Sequence, residues 1–477
     1  MTSPASQPLV RVALPRGDLR AGLAERLIAA GFVPEGYAEG SRAYRFAVTG
    51  RPEVLVRVFS ERDIPIQVAL GQYDLGITRR AWVDELLTRY EHDSIVPLRS
   101  LDLGAERIVA VGVPGTDIAR LAANGVVRVA TEYPQIAARY LNRLRIPAYR
   151  LIEVWGQAGF WPPDDADLAI LPEDASALAA EGLATVATVH TGSAMLIGNR
   201  RALAERDLRA ALEPLLALPA GLLDGGAEEP RALDVPRGVR VEAPVVRDTL
   251  RLAVPDGHAQ RHTVTALADA GIVLDGYEAD RHVRRPTASI PGLTVKVLRP
   301  QDMPAAVARG QFDLALTGRD WLAAHLAAFP SSPVVELADL RRSRYSLGAV
   351  VPDALPAANI EEAIAYWRRD DPRRPIRVAS EYAALADHYA RERRLGRYQV
   401  IPISGASEGF VPDDAEILIE GSETGTTLRA NQLHMIDVIM ESTNCAIGNA
   451  VRPEGARGEL RDDLVARLQR AGELVEA

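Results

Sequence analysis

At 477 residues the chain is long enough for two to four domains, and 47% hydrophobic with 25% charged residues is the composition of a globular protein. A formal net charge of -9 excludes a general nucleic-acid binder, whose footprint would be basic, but leaves room for a small anion in a local pocket. One cysteine, Cys445, excludes an intramolecular disulfide and a cysteine-based zinc cage.

In chain order, residues 1–18 show neither the apolar core nor the cleavage site of a signal peptide. Further along, no run reaches the roughly 18 apolar residues of a membrane span, so a cytoplasmic protein without a membrane partner is expected. Leu9 to Leu14 reads as a strand, and Leu19 to Ala30 carries apolar residues at helical spacing. Val54 to Phe59 is a strand, Ile64 to Leu70 a helix and Asp74 to Thr78 a strand, and Val127 to Ala130 and Leu168 to Leu171 continue the alternation. Strands alternating with helices predict parallel sheets in an α/β fold, with ligands beyond the carboxyl ends of the strands.

The same order of segments then returns. Ala13-Leu14-Pro15-Arg16-Gly17 reappears as Ala253-Val254-Pro255-Asp256-Gly257, and Gly71-Gln72-Tyr73-Asp74-Leu75 with Trp82 as Gly310-Gln311-Phe312-Asp313-Leu314 with Trp321. Glu132-Tyr133 matches Glu381-Tyr382, Pro163-Asp164-Asp165-Ala166 matches Pro412-Asp413-Asp414-Ala415, and Ile197-Gly198-Asn199 matches Ile447-Gly448-Asn449. Two unrelated domains do not yield so many matches in one order, so one ancestral unit is used twice. The expected division is a first copy over 1–221, a Gly/Pro-rich linker over 222–245 and a second copy over 246–477. Each copy exceeds 220 residues and is expected to form two lobes around a cleft, each lobe a mostly parallel sheet flanked by helices.

The segment Glu416 to Asn431 is the most informative. An apolar strand ends in Glu420, and a Gly/Ser/Thr turn leads into a helix, a geometry that aims backbone N–H groups and threonine hydroxyls at one small volume suited to a phosphate. Glu420 and Glu423 are suited instead to the two hydroxyls of a ribose. The lysine of a Walker loop is absent, and the bland reading is a helix start capped by Thr426 or Thr427.

The string Glu423-Thr424-Gly425-Thr426-Thr427-Leu428-Arg429-Ala430-Asn431 resembles the phosphoribosyl-pyrophosphate loop of the ATP phosphoribosyltransferases. Arg299 to Pro304, Asp313 to Asp320 and Gly405 to Glu408 agree in order, as do Leu14 to Gly17, Ser41-Arg42 and Ala130 to Pro134 in the first copy. Each copy looks like the short-form catalytic subunit, whose two-lobed unit resembles the periplasmic-binding-protein-like fold. The resemblance implies transfer of a phosphoribosyl group to N1 of the adenine of ATP, the first step of histidine biosynthesis. It makes ATP and phosphoribosyl pyrophosphate the substrates, with Mg2+ carried on the latter and no metal ligand assigned to the protein. Glu420 and Glu423 then contact the ribose, Thr424, Gly425, Thr426 and Thr427 cradle the 5′-phosphate, and Glu408 shapes the cleft. Arg299 and Arg16 join the substrate-binding set, and Arg42 and Arg281 match a family arginine that acts on ATP or the leaving pyrophosphate from the neighbouring subunit. Beyond the substrates, the resemblance leaves a homo-oligomer or a regulatory subunit as partners.

The first copy departs from this pattern. Leu171 stands where Glu420 does, Ala175 and Ser176 where Thr424 and Gly425 do, Ala177 and Leu178 where the two threonines do, and Gly159 in place of Glu408. Its own site is expected to be dead. The second copy reads Asp256-Gly257-His258 where the resemblance implies Lys-Gly-Arg, and a negative charge there would repel phosphate unless turned outward or placed on magnesium. A division of labour is therefore expected: one site in the second copy, supported by Arg42 and Arg16 of the first. The alternative is a non-catalytic nucleotide or phosphoribosyl-pyrophosphate binding or regulatory protein derived from that enzyme. A metal-dependent hydrolase is a third reading: His258 and His262 have the i, i+4 spacing of a helical ligand pair, but no third ligand is in view and a solvated face explains them. Trp155 and Trp161 are expected to fill the void of the degenerate first cleft, and Trp82 and Trp321 to pack in the core.

Overall fold

Short β-branched runs need partners for both their backbone groups and their apolar faces, and in this chain they find them locally. The computed structural model describes residues 9–41, 43–89, 94–221, 230–234, 247–405 and 407–475. The chain divides into two compact units, Met1–Ala243 and Pro244–Ala477. Of the expected linker, residues 230–234 are described; there the Leu233 amide donates to Leu144 O at 3.0 Å and the side chain packs on the first unit's core.

Each unit has two lobes, each built on its own sheet. In the first lobe of unit one the strand order is Arg45–Ala47, Val54–Phe59, Val10–Pro15, Leu75–Arg79, Ala194–Asn199, Ile95–Ser100. The order in the first lobe of unit two is Leu293–Leu298, Leu250–Pro255, Leu314–Gly318, Asn444–Asn449, Val334–Asp339, the same topology without the outermost strand. The second lobes match as well: Ala184–Gly192, Glu106–Gly112, Leu168–Pro172, Val127–Thr131, Tyr149–Glu153 against Leu433–Ser442, Tyr345–Pro352, Ile417–Ser422, Ile376–Ser380, Tyr398–Pro402. The three strands that open each βαβ run are parallel, with Val10 opposite Val54 and Leu250 opposite Leu293, and the returning strands join antiparallel.

The repeated sequence segments do the same physical work in both units. Tyr37 Oη donates to Pro15 O at 2.7 Å and Tyr277 Oη to Pro255 O at 2.5 Å. Asp74 accepts from the Arg11 amide and Asp313 from the Arg251 amide, each at 2.8 Å. Trp82 stacks on Tyr133 and Trp321 on Tyr382, each with centroids 4.3 Å apart, so these tryptophans pack as expected. Cys445 is fully buried on the strand Asn444–Asn449. Each lobe has its own apolar core, in which burying one Leu or Val contributes about 1.5–3 kcal/mol. Among the described residues no helix is long and apolar enough to cross a membrane.

Candidate functional site

The strand Ile417–Ser422 is buried through Ile417, Leu418 and Ile419 and becomes partly exposed from Glu420 on. It is central to its lobe; its parallel pairing with Ile376–Ser380 ends at Ile419, and Glu420 to Ser422 are held on one side only, by Tyr345–Pro352. The turn that follows enters the helix Thr426–Ala430 through Gly425, whose φ of 67° lies in the left-handed region that favours glycine. A Cβ there would also stand 2.8 Å from the Arg429 guanidinium, which folds back to donate to Thr424 O at 2.8 Å. The N-cap Gly425 offers no side chain, but Ser422 Oγ accepts from the Gly425 amide at 3.0 Å, Thr424 Oγ1 accepts from the Thr426 amide at 3.4 Å, and Thr424 and Thr426 share a hydroxyl contact of 2.8 Å. The next amides of the first turn, those of Thr427 and Leu428, are the ones left for an external acceptor.

Around it lies a cavity of about 370 Å³ lined by Glu408, Glu420, Glu423, Thr424, Thr426 and Thr427 together with His258, Tyr345, Tyr382, Gly421, Ser422 and Leu428. Six of the residues predicted to bind substrate therefore meet in one place, with Gly425 inside the same turn. Among the described residues the lining contains neither lysine nor arginine. Burial pushes the Glu420 carboxyl up to about 7; hydrogen bonds from Ser407 and the Gly421 amide pull it down, while Glu381 and Glu408 repel it and push it further up.

The floor of the cavity was not legible as a site. Asp320 is fully buried and accepts from Tyr382 Oη at 2.6 Å and Ser442 Oγ at 3.0 Å. Burial first, and then Asp320, hold the Tyr345 and Tyr382 hydroxyls far above the ordinary tyrosine value, so both stay protonated. A Cβ on Gly421 would stand 2.6 Å from the Tyr345 ring, which is why a glycine follows Glu420. The repeated Glu-Tyr and Trp positions carried the signal, but periodicity alone shows them as core.

The arginines are placed differently. Arg299 follows the strand Leu293–Leu298 and its Nε lies 3.5 Å from the buried Asp256 carboxylate, outside the cavity lining. Asp256 is thus buried beside a guanidinium inside the protein rather than turned outward. Arg281 is exposed, its carbonyl accepting from the Glu278 amide at 2.8 Å, and its side chain is not in the lining. Arg16 is half-buried just past the strand Val10–Pro15. Arg42 lies outside the described residues.

The corresponding corner of unit one has been filled from within. Asp174, at the position of Glu423, caps the helix Ala175–Ala180 and accepts from the amides of Ser176 and Ala177 at 3.0 and 3.1 Å. Hydrogen bonds from Ser176 and Ala177 hold its carboxyl below the usual value. Where Glu408 would project, a Cβ on Gly159 would run into the Glu181 carboxylate, with Leu171 packed alongside. Asp18, Glu61 and Glu106 surround Arg79 at 2.6, 2.6 and 3.6 Å, and burial pushes the Glu61 carboxyl up to about 7. Trp161 is buried, but so is Phe410 at the matching position, so an aromatic belongs to this core in both units rather than filling a void in one. Arg62 lies over the Trp155 and Trp82 rings at 5.2 and 5.8 Å.

The sequence pattern of the HisG: ATP phosphoribosyltransferase family matches residues 60–218 and 299–470, one stretch in each unit. An ATP phosphoribosyltransferase of Saccharolobus solfataricus is 33% identical over 203 residues, covering 42% of this chain and 64% of that protein. One from Deinococcus radiodurans is 33% identical over 225 residues, covering 46% of this chain and 90% of that protein. The match thus spans under two thirds of the length of the first of these relatives. Among solved structures, an ATP phosphoribosyl transferase (HisG:HisZ) complex from Thermotoga maritima aligns with 47% of this chain and 100% of its own at a TM-score of 0.38 and 18% identity.

Proposed function

Because this chain belongs to the ATP phosphoribosyltransferase family, we propose that its second unit joins ATP and phosphoribosyl pyrophosphate to give phosphoribosyl-ATP and pyrophosphate. This is the entry step of histidine biosynthesis, a soluble cytoplasmic activity. One observation carries the reading: a helix start whose Thr427 and Leu428 amides carry no cap faces a cluster of carboxylates in one cavity, whereas the same helix start in unit one is closed by the Asp174 carboxylate.

In the proposed reaction adenine N1 attacks the anomeric carbon, the bond to the pyrophosphate oxygen breaks with its electron pair leaving on pyrophosphate, and positive charge builds on the ribose ring. The 5′-phosphate accepts from the open amides and from Thr424, Thr426 and Thr427. Glu420 and Glu423, ionised, accept from the ribose hydroxyls and oppose the developing charge, with Glu408 shaping the wall. Three carboxylates without a lysine or arginine in the lining are hard oxygen donors facing an anionic substrate, which fits Mg2+ arriving on the pyrophosphate. When bound, the ion neutralises the leaving group.

The test is formation of phosphoribosyl-ATP from ATP, phosphoribosyl pyrophosphate and Mg2+ by the purified chain, with Glu420→Ala as control. Turnover that is lost in the control is expected. Calorimetric binding of phosphoribosyl pyrophosphate without turnover would instead favour a derived binding or regulatory protein, and neither would sink both readings.

A further inference from the structure

Beside the cavity the fold completes a set that the sequence left one member short. His258 opens the helix His258–Asp269 in the first lobe of unit two, and His262 follows one turn later on the same face. Their ring centroids are 5.7 Å apart. Glu423 reaches them from the other lobe, out of the turn after Ile417–Ser422. One donor atom each from His258, His262 and Glu423 lie within 4.8 Å of one another, and His258 Nε2 is 3.9 Å from Glu423 Oε1.

We propose that His258, His262 and Glu423 form a three-ligand site for a divalent transition ion of the Zn2+ or Co2+ class, tying the two lobes of unit two together at the edge of the cavity. Two imidazoles and one carboxylate are the donors that such ions prefer and that Mg2+ does not, so this site is distinct from the ion carried on the substrate. Metal–ligand bonds of about 2.0–2.2 Å bring tetrahedral donor atoms to roughly 3.3–3.5 Å, so closing the set takes about 1 Å of side-chain movement. His258 and Glu423 have that freedom, with side-chain exposures of 64% and 40%.

The plain alternative is an ion pair on a solvated face. At 3.9 Å, however, His258 and Glu423 are too far apart for a hydrogen bond, and one imidazole would serve an ion pair as well as two. Arg261 approaches both rings at the same atom: its Nη2 is 3.4 Å from His258 Nε2, and its Nε donates toward His262 Nε2 at 3.5 Å. Both Nε2 atoms therefore face one region, the one Arg261 now occupies, and in the tautomer protonated on Nδ1 each presents its lone pair there. Arg261 is exposed and leaves when the ion enters.

Three protein ligands leave a fourth position open. His258 and Glu423 both line the cavity, so that position is accessible to an oxygen of a phosphate or pyrophosphate bound there. Only this last clause rests on the transferase reading; the three-ligand site does not.

The test is a titration of the metal-free full chain with Co2+, without substrates, followed by visible d–d absorption. One equivalent of Co2+ giving a tetrahedral-type band that Zn2+ abolishes is the expected result. His262→Gln and Glu423→Gln, each with unchanged circular dichroism, are expected to weaken Co2+ by at least about tenfold and remove the band. Arg261→Ala is expected to tighten it. No saturable band, or a band that survives both ligand substitutions, overturns the site. A band that forms but ignores added pyrophosphate overturns the open fourth position while leaving the three ligands standing.

Discussion

Glu420 is the residue on which chemistry and stability pull in opposite directions. Its carboxyl is held at about 7 mainly by burial, with Glu381 and Glu408 adding to the rise, and it opposes the positive charge that builds on the ribose only when ionised. Binding of phosphoribosyl pyrophosphate is therefore expected to strengthen as pH rises through about 7, read as kcat/KM against pH. The sign for folding is opposite. A carboxyl whose folded value lies above its unfolded value binds protons more tightly in the native state, so stability is fully present below the ordinary carboxylate value and is lost as pH rises toward 7. Solvent reaches Glu420 through the cavity mouth, so the penalty is on the order of 2 kcal/mol rather than the full shift. Glu420→Gln is thus expected to abolish transfer yet raise the urea midpoint at pH 8, with the gain vanishing near pH 4.5. A variant no more stable than the parent at pH 8 would refute the strained carboxylate.

Among the elements, the two short helices Ala175–Ala180 and Thr426–Ala430 are the same piece of structure with opposite treatment of the first turn. Asp174→Ala removes a cap and is expected to lower the urea midpoint slightly while leaving turnover unchanged. Gly425→Ala forces a Cβ into the left-handed region and against Arg429, with an expected cost of about 1 kcal/mol and at least tenfold weaker binding of phosphoribosyl pyrophosphate. Equal effects of the two substitutions on binding would contradict the asymmetry. Most of these elements could be read from the sequence, because β-branched runs and turn residues act over a few positions. Val54–Phe59 has its expected bounds, and Leu19–Ala29 and Ile64–Ala69 end within a residue of theirs. The phosphate loop was legible for the same reason, as one continuous string. The Asp320–Tyr382–Tyr345 floor, the Asp256–Arg299 pair and the meeting of Glu423 with His258 and His262 were not. Each joins residues tens of positions apart or more, and only the folded register brings them together.

For the whole molecule, the proposed reading gives the second unit the ligand site and leaves the first to keep the fold. Calorimetry is expected to find one molecule of phosphoribosyl pyrophosphate per chain; a stoichiometry of two would mean that the Asp174 corner opens. Turnover is expected without an added regulatory subunit, the first unit serving in that role. Arg42→Ala is expected to lower kcat by at least about tenfold, as loss of a charge-stabilising donor does. Intact turnover in Arg42→Ala alongside its loss in Arg281→Ala would assign that duty to the second unit alone.

The Asp174 cap has one more consequence, for how the chain responds to its substrate. A helix start that already holds the carboxylate of its own cap residue gains nothing when phosphate is added, whereas one left open is stabilised in proportion to the logarithm of ligand concentration. Amide hydrogens of residues 426–430 should thus exchange more slowly as phosphoribosyl pyrophosphate is raised, while those of residues 175–180 keep one rate throughout. Within one polypeptide, the first helix is an internal standard against which occupancy of the second can be read.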